Sequence, residues 1–240
     1  MQEKEEIPAT APLSRKAVWL KLLATTEGRI FATGITLSFL GLLVMAVVAI
    51  WSPATSSVIG AMAISNVTVG RTVSMSIGYA AGYGHLLVLT VNMITETLLV
   101  LLFYPVFVFS LKKLIVFPRL KRILDITQQA AIQNEAKVRK YGVIGLFTFV
   151  WFPFWMTGPV VGSAIGYLLQ LPAWLTLTVV LSGTFIAILG WGWLMAGIQE
   201  RAAAIAPWAP ALIVVILLAV VIGGYLLNRG RLNKRNNSRH

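Results

Sequence analysis

The sequence predicts an all-α integral membrane protein: about four transmembrane helices, two oppositely oriented re-entrant hairpins forming an inverted repeat, and a cytoplasmic interfacial helix. Three observations carry that prediction. Of the 240 residues, 58% are hydrophobic; the basic residues collect in three separate segments; and two otherwise apolar stretches are broken by proline, glycine and hydroxyl residues. The apolar share exceeds the roughly 45–50% of soluble domains, and the mean hydropathy of +0.81 agrees with it.

The composition also excludes classes of function. A net charge of +12 would suit nucleic acid, but the lysines and arginines flank apolar runs instead of lining a polar face, so no nucleic-acid partner is expected. The chain has no cysteine, which rules out disulfides, thiolate metal sites and cysteine nucleophiles. Two histidines, His85 and His240, and one aspartate, Asp125, leave little for hydrolytic or metal chemistry. An enzyme is not expected, and neither a cofactor nor a metal is.

Taken in order, residues 1–28 form a polar tail. Its stretch "SRKAVWLKLLATTEGR" interleaves Arg15, Lys16 and Lys21 with Val18, Trp19, Leu22 and Leu23, the pattern of a helix lying on an anionic leaflet or, alternatively, of a solvated tail. An uncharged run near 30–51 is long enough to span, since about 20 residues cross the hydrocarbon core. Residues 53–84 are rich in small and hydroxyl side chains and hold one charge, Arg71; they are too apolar for a loop and too broken for a span. A second span near 86–109 carries Asn92, Glu96 and Pro105. The basic segment 110–141 follows, with Pro118 suited to the first turn of a surface helix. After the broken stretch 142–170 come spans near 172–198 and 210–227, separated by a short break around Glu200 and Arg201, and then the basic tail 229–240.

Charge placement sets the topology. Five lysines and arginines lie at the N-terminal end, counting Arg29 just after the tail, eight in 110–141 and five in the C-terminal tail, leaving only Arg71 and Arg201 elsewhere. Short loops rich in Lys and Arg stay cytoplasmic, so all three segments and both termini are expected there, in a multi-pass arrangement that suits a bacterial inner membrane. Between the middle segment and the tail the chain must then cross an even number of times, yet three apolar runs lie between them. The one holding Pro153, Gly158, Pro159 and Gly162 is the exception, because proline breaks the helix ladder and glycine permits reversal. It reads as a re-entrant hairpin entering from the cytoplasm, with its tip near "MTGP"; a proline-kinked span with an outside tail is the alternative. Residues 53–84 then read as a second hairpin from the opposite face. Broken segments that meet near the midplane in inverted units are a transporter pattern.

Glu96 is the one acidic residue inside a clear span, and intramembrane ionisable residues are functional candidates by default. Asn92 stands one turn earlier on the same face, and Arg71, with Asn66, is the candidate partner from the first hairpin. These four residues either contact an anionic head group or relay a proton, or they form an ion pair that only fixes the hairpin. The turn residues Pro153, Gly158, Pro159 and Gly162 shape the second hairpin. Lys112, Lys113, Arg119, Lys121 and Arg122 are candidate lipid-surface contacts. Gly78 and Gly82 offer a small-xxx-small packing spacing, and the tryptophans suit interfacial belts.

From about Gly60 to Gly197 the chain resembles the small multi-drug export protein family of bacterial membrane proteins, which is itself similar to the DedA (SNARE-associated) superfamily. The resemblance rests on "NVTVGRTVSMSIGYAAGYGHLLVLTVN" in the first half, and on "KYGVIGLFTFVWFPFWMTGPVVGSAIGYLLQLP" with "SGTFIAILGWGW" in the second. Asn66 stands where DedA members carry an acid, and "VWFPFWMTG" lacks the arginine they place beside the proline. The resemblance implies a transporter, or a flippase for lipids or lipid-linked carriers, whose partners are membrane lipids and an anionic or lipid-linked substrate, with a homo-oligomer left open. The competing expectation is a membrane-organising or scaffold protein that binds anionic lipid or a protein partner through its basic cytoplasmic segments.

Overall fold

The computed structural model describes residues 24–111, 135–151, 158–220 and 222–223. The interfacial helix expected before residue 24, the five candidate lipid-contact residues between 112 and 122, Pro153 and the basic tail lie outside them. Among the described residues the chain is helical throughout, without strands. In order come α1 (Thr26–Trp51), α2 (Pro53–Thr68), α3 (Arg71–Ala80), α4 (His85–Leu111), α5 (Glu135–Trp151), α6 (Gly158–Leu168) and α7 (Ala173–Ile205), followed by a short α8 (Ala209–Val220).

Three of these, Thr26–Trp51, His85–Phe109 and Ala173–Ile205, are long and apolar enough to cross a membrane. Their outer faces show large apolar side chains such as Phe39, Leu42, Trp51, Trp174 and Trp193, a surface that only hydrocarbon would tolerate at this extent. Hydroxyls in the helices mostly return to their own backbone: Thr33, Thr36, Thr95, Thr97 and Thr148 each donate to the carbonyl four residues back, as a solvent without hydrogen bonds requires. This is a membrane protein.

One boundary differs from the sequence expectation. The break expected around Glu200 and Arg201 is absent, and α7 continues to Ile205; Ala202, Ala203 and Ala204 are strong helix formers and nothing there stops a helix. The chain turns only at residues 206–208, where Pro207 follows. Of the fourth span expected near 210–227, the described residues cover α8 and residues 222–223, which are helical.

The remaining helices form two pairs. Ser52 ends α1, and Pro53 opens α2 at a position where its missing N–H costs nothing. Gly70, at φ 123°, then reverses the chain into α3, a backbone region open to glycine. At 1.5 Å per residue, α3 and α6 are each only about 15 Å long, half of a hydrocarbon core of about 30 Å. Helix α2 packs on α3 and α4, and α5 on α6 and α7. Helix α3 packs on α4 and α7, α6 on α7 and α4, and α4 on α7. Exchanging α2, α3 and α4 for α5, α6 and α7 leaves this set of pairs unchanged.

A short stretch of sequence recurs in the same places. "IGYAAGYGHLLVLTV" (77–91) and "IGYLLQLPAWLTLTV" (165–179) share Ile, Gly, Tyr and a closing L-x-L-T-V at one constant offset. Both end their short helix in the same way. Gly82 N–H donates to Tyr79 O at 2.9 Å and Tyr83 N–H to Gly78 O at 3.1 Å; Gln170 N–H donates to Tyr167 O at 2.9 Å and Leu171 N–H to Gly166 O at 3.1 Å. Both turns use a left-handed residue, Gly82 at φ 80° and Gln170 at φ 56°, the usual device for closing a helix C-terminus. Gly82 therefore serves the turn and not a packing face: a Cβ there would touch nothing, whereas one on Gly78 would lie 2.7 Å from Val88 Cγ2 and 2.9 Å from Met62 Sδ.

Two buried cores result. Met62, Met75, Val88 and Leu89 pack with Ile188 and Met195, while Leu146, Val150, Val179 and Val180 pack with Val100. Early residues of α4 thus meet late residues of α7 and the reverse, so these two helices run antiparallel, and the register brings Glu96 to the level of Thr184.

Candidate functional site

The site lies where the inner ends of the two helix pairs meet. Arg71 is the first residue of α3, directly after the Gly70 reversal, and Val150 is the penultimate residue of α5. The Arg71 guanidinium donates through Nη2 to the Val150 carbonyl at 3.3 Å, so one side chain ties the start of α3 to the end of α5. Its Nε faces Glu96 Oε1 of α4 at 3.1 Å, and both side chains are almost fully buried, at 4% and 3% exposure. An isolated charge at this depth would cost several kcal/mol, and matching it with an opposite charge is what permits it.

The other two expected residues stand beside this pair. Asn66, in the last turn of α2, donates through Nδ2 to Asn92 Oδ1 at 2.7 Å, and Asn92 Nδ2 donates to the Val88 carbonyl at 2.8 Å. Asn92 and Glu96 are four residues apart on α4 and share a face. Arg71, Glu96, Asn66 and Asn92 are therefore brought together, and α2, α3, α4 and α5 all contribute to holding them.

The described residues of the stretch expected to form a second hairpin play different parts. Gly158 and Pro159 open α6 and are buried, a position that suits proline. Gly162 sits not at the reversal but in the second turn of α6, where a Cβ would lie 2.5 Å from Val150 Cγ2. It was expected to help the chain turn; what it does is let α6 press against the tip of α5.

Several polar atoms in this region are buried without any hydrogen-bond partner: Arg71 Nη1, Ser74 Oγ, Glu96 Oε2 and Thr184 Oγ1. Sequence reasoning did not single out Ser74 or Thr184. Thr184 occupies, on α7, the position that Glu96 occupies on α4 by the offset of the recurring stretch, so one half supplies a carboxylate where the other supplies a hydroxyl. Farther along α7, the amide of Gln199 is also buried with neither end satisfied. At the end of α3, His85 Nδ1 and the Tyr79 hydroxyl lie 2.8 Å apart with their rings stacked, which gives His85 a neighbour on its own turn. Among the described residues no group of three His, Asp or Glu side chains is placed to hold a metal ion.

Comparison with protein families finds one match: the model for "Putative small multi-drug export protein" covers residues 70–189. It begins at the reversal before Arg71 and ends past Thr184, taking in both copies of the recurring stretch. Comparison with curated proteins and with solved structures returned no match.

Proposed function

The chain belongs to the small multi-drug export protein family, and from that premise we propose that it is a transporter, of the flippase type, that moves an anionic lipid or lipid-linked molecule across a bacterial inner membrane. In this reading α2–α3 and α5–α6 are re-entrant hairpins entering from opposite faces, each followed by a crossing helix, and the two units form an inverted-topology repeat. Support comes from the short length of α3 and α6, the exchange symmetry of the packing, and the antiparallel course of α4 and α7. Both termini are cytoplasmic by the distribution of Lys and Arg. The family name points to export, and the likeness to the DedA superfamily points to lipids as cargo.

One observation carries the reading: a buried Arg71–Glu96 pair sits where the start of α3 meets the end of α5. Broken helices that meet near the midplane around charged side chains are the arrangement secondary transporters use for substrate. Such a site is reachable from either face if the start of α3 and the end of α5 part, and the hydrogen bond from Arg71 to Val150 is of a strength that can open and close.

The test is a flipping assay with the purified chain in liposomes carrying fluorescent NBD-phosphatidylglycerol, in which dithionite reports how much probe has exchanged leaflets. The wild type should expose inner-leaflet probe, and Glu96→Gln, which keeps the shape and removes the charge, should reduce the rate at least tenfold at a temperature where circular dichroism shows both proteins folded, the variant being the less stable of the two. Equal rates for the two would end the reading. Retained flipping together with loss of cellular function on neutralising Lys112, Lys113, Arg119, Lys121 and Arg122 would favour the membrane-organising role.

A further inference from the structure

We propose that the first turn of α3 is an oxyanion subsite, in which the backbone N–H groups of the helix start, the free edge of the Arg71 guanidinium and the Ser74 hydroxyl bind one phosphate or carboxylate group. This deepens the transport reading, and rests on it only in placing the subsite on the path of the cargo.

The start of α3 is buried at Arg71, Val73 and Ser74, and no side chain caps it. Uncapped N–H groups at a buried helix end need a partner from somewhere, and the N-terminal end of a helix favours negative charge. Two unpartnered polar side-chain atoms stand in this same turn. Arg71 is fixed by Glu96 on its Nε edge and by Val150 on Nη2, which leaves Nη1, with two hydrogens and no partner, as the guanidinium's open side. Ser74, three residues on and on the same face, is 0% exposed and its hydroxyl has no partner.

The Ser74 hydroxyl, like those of Thr176 and Thr184, is left unpaired in a protein whose helical hydroxyls mostly bond their own backbone. Thr33, Thr36, Ser57, Thr68, Thr95, Thr97, Thr148 and Ser163 each satisfy their hydroxyl on the carbonyl four residues back; Ser74 does not. Buried polar atoms are unpaired in only a small minority of cases, so two in one helical turn, beside uncapped N–H groups, mark a place built for a ligand that accepts hydrogen bonds. The charge balance also fits. Arg71 and Glu96 cancel, while the starts of α3 and α6 each bring about half a positive charge. Helix α6 begins close by, since Gly162 in its second turn lies against the Val150 whose carbonyl holds Arg71. An anion with one negative charge would be matched.

The experiment uses the full chain in phosphatidylcholine nanodiscs, with unfolding followed by tryptophan fluorescence at constant ionic strength. Inorganic phosphate, acetate and, separately, phosphatidylglycerol mixed into the disc are the probes. At least one should raise the unfolding temperature of the wild type. A phosphate or acetate response marks a soluble oxyanion, and a response to phosphatidylglycerol alone marks a lipid head group. Ser74→Ala should weaken the responding probe about tenfold, the worth of one hydrogen bond to a charged group, while leaving the unliganded protein as stable as before or more so, because the hydroxyl it removes has no partner. The charge-free pair Arg71→Met with Glu96→Met should abolish the response. No response in the wild type, or equal responses from wild type and Ser74→Ala, overturns the subsite. Flipping of NBD-phosphatidylglycerol run in parallel separates the two ideas: if flipping survives and the probe responses fail, the transport reading stands without this subsite.

Discussion

At the scale of single residues, the central constraint is that neither Glu96 nor Arg71 can stay buried and charged without the other. Removing one partner of such a pair costs about 3–5 kcal/mol, whereas replacing both with apolar groups of similar size is close to neutral. Arg71→Met should therefore lower the midpoint of detergent or thermal unfolding sharply, and adding Glu96→Met should restore most of it. A single variant as stable as the wild type would mean that the pair does not hold the tips. This contact was legible in the sequence: an acid inside a clear span demands a counter-charge, and Arg71 was the only basic residue on the broken stretch before it. Ser74 and Thr184 were not legible. A membrane helix normally absorbs its hydroxyls into its own backbone, and only coordinates reveal which ones are left over.

Among the elements, the two caps that end α3 and α6 show how much a fold can repeat while its sequence drifts. Both close with the same pair of hydrogen bonds around a left-handed residue, but one copy uses glycine and the other Gln170. A side chain in that region is strained by about 1 kcal/mol or more, so Gln170→Gly should raise the unfolding midpoint modestly, by up to about 1 kcal/mol after the added freedom of the unfolded chain is counted. A lower midpoint would show that the glutamine side chain makes a contact outweighing the strain. The recurrence of I-G-Y and L-x-L-T-V was present in the sequence and could have been found by sliding the chain along itself. It was hard to notice because the copies differ at the residues that draw the eye, Gly82 against Gln170 and Glu96 against Thr184. The prolines and glycines of 142–170 led to the expectation of a break whose centre, residues 152–157, lies outside the described residues, and they gave no sign that Gly162 answers to the packing of Val150.

For the whole molecule, the decisive quantity is which side of the membrane each turn occupies. The equivalent turns after α3 and α6 should open on opposite faces. With no native cysteine, single cysteines at Ala81 and Gln170, both exposed, can be probed with an impermeant thiol reagent on intact cells. Ala81→Cys should label at once and Gln170→Cys only after lysis; labelling of both from outside would remove the inverted repeat. The membrane character and three of the four expected spans followed from composition and charge, because hydrophobic length is a local property. The interlocking of the halves did not, because it depends on contacts far apart in the chain. Each core borrows from the other half: Ile188 and Met195 complete the one around Met75, and Val100 completes the one around Val150. That has a consequence during synthesis. When the ribosome has delivered α1 to α4, the chain already holds Arg71 and Glu96 but has no wall on the α7 side, so the first half must wait in the bilayer, unfinished, until a segment more than a hundred residues after Met75 arrives to close it.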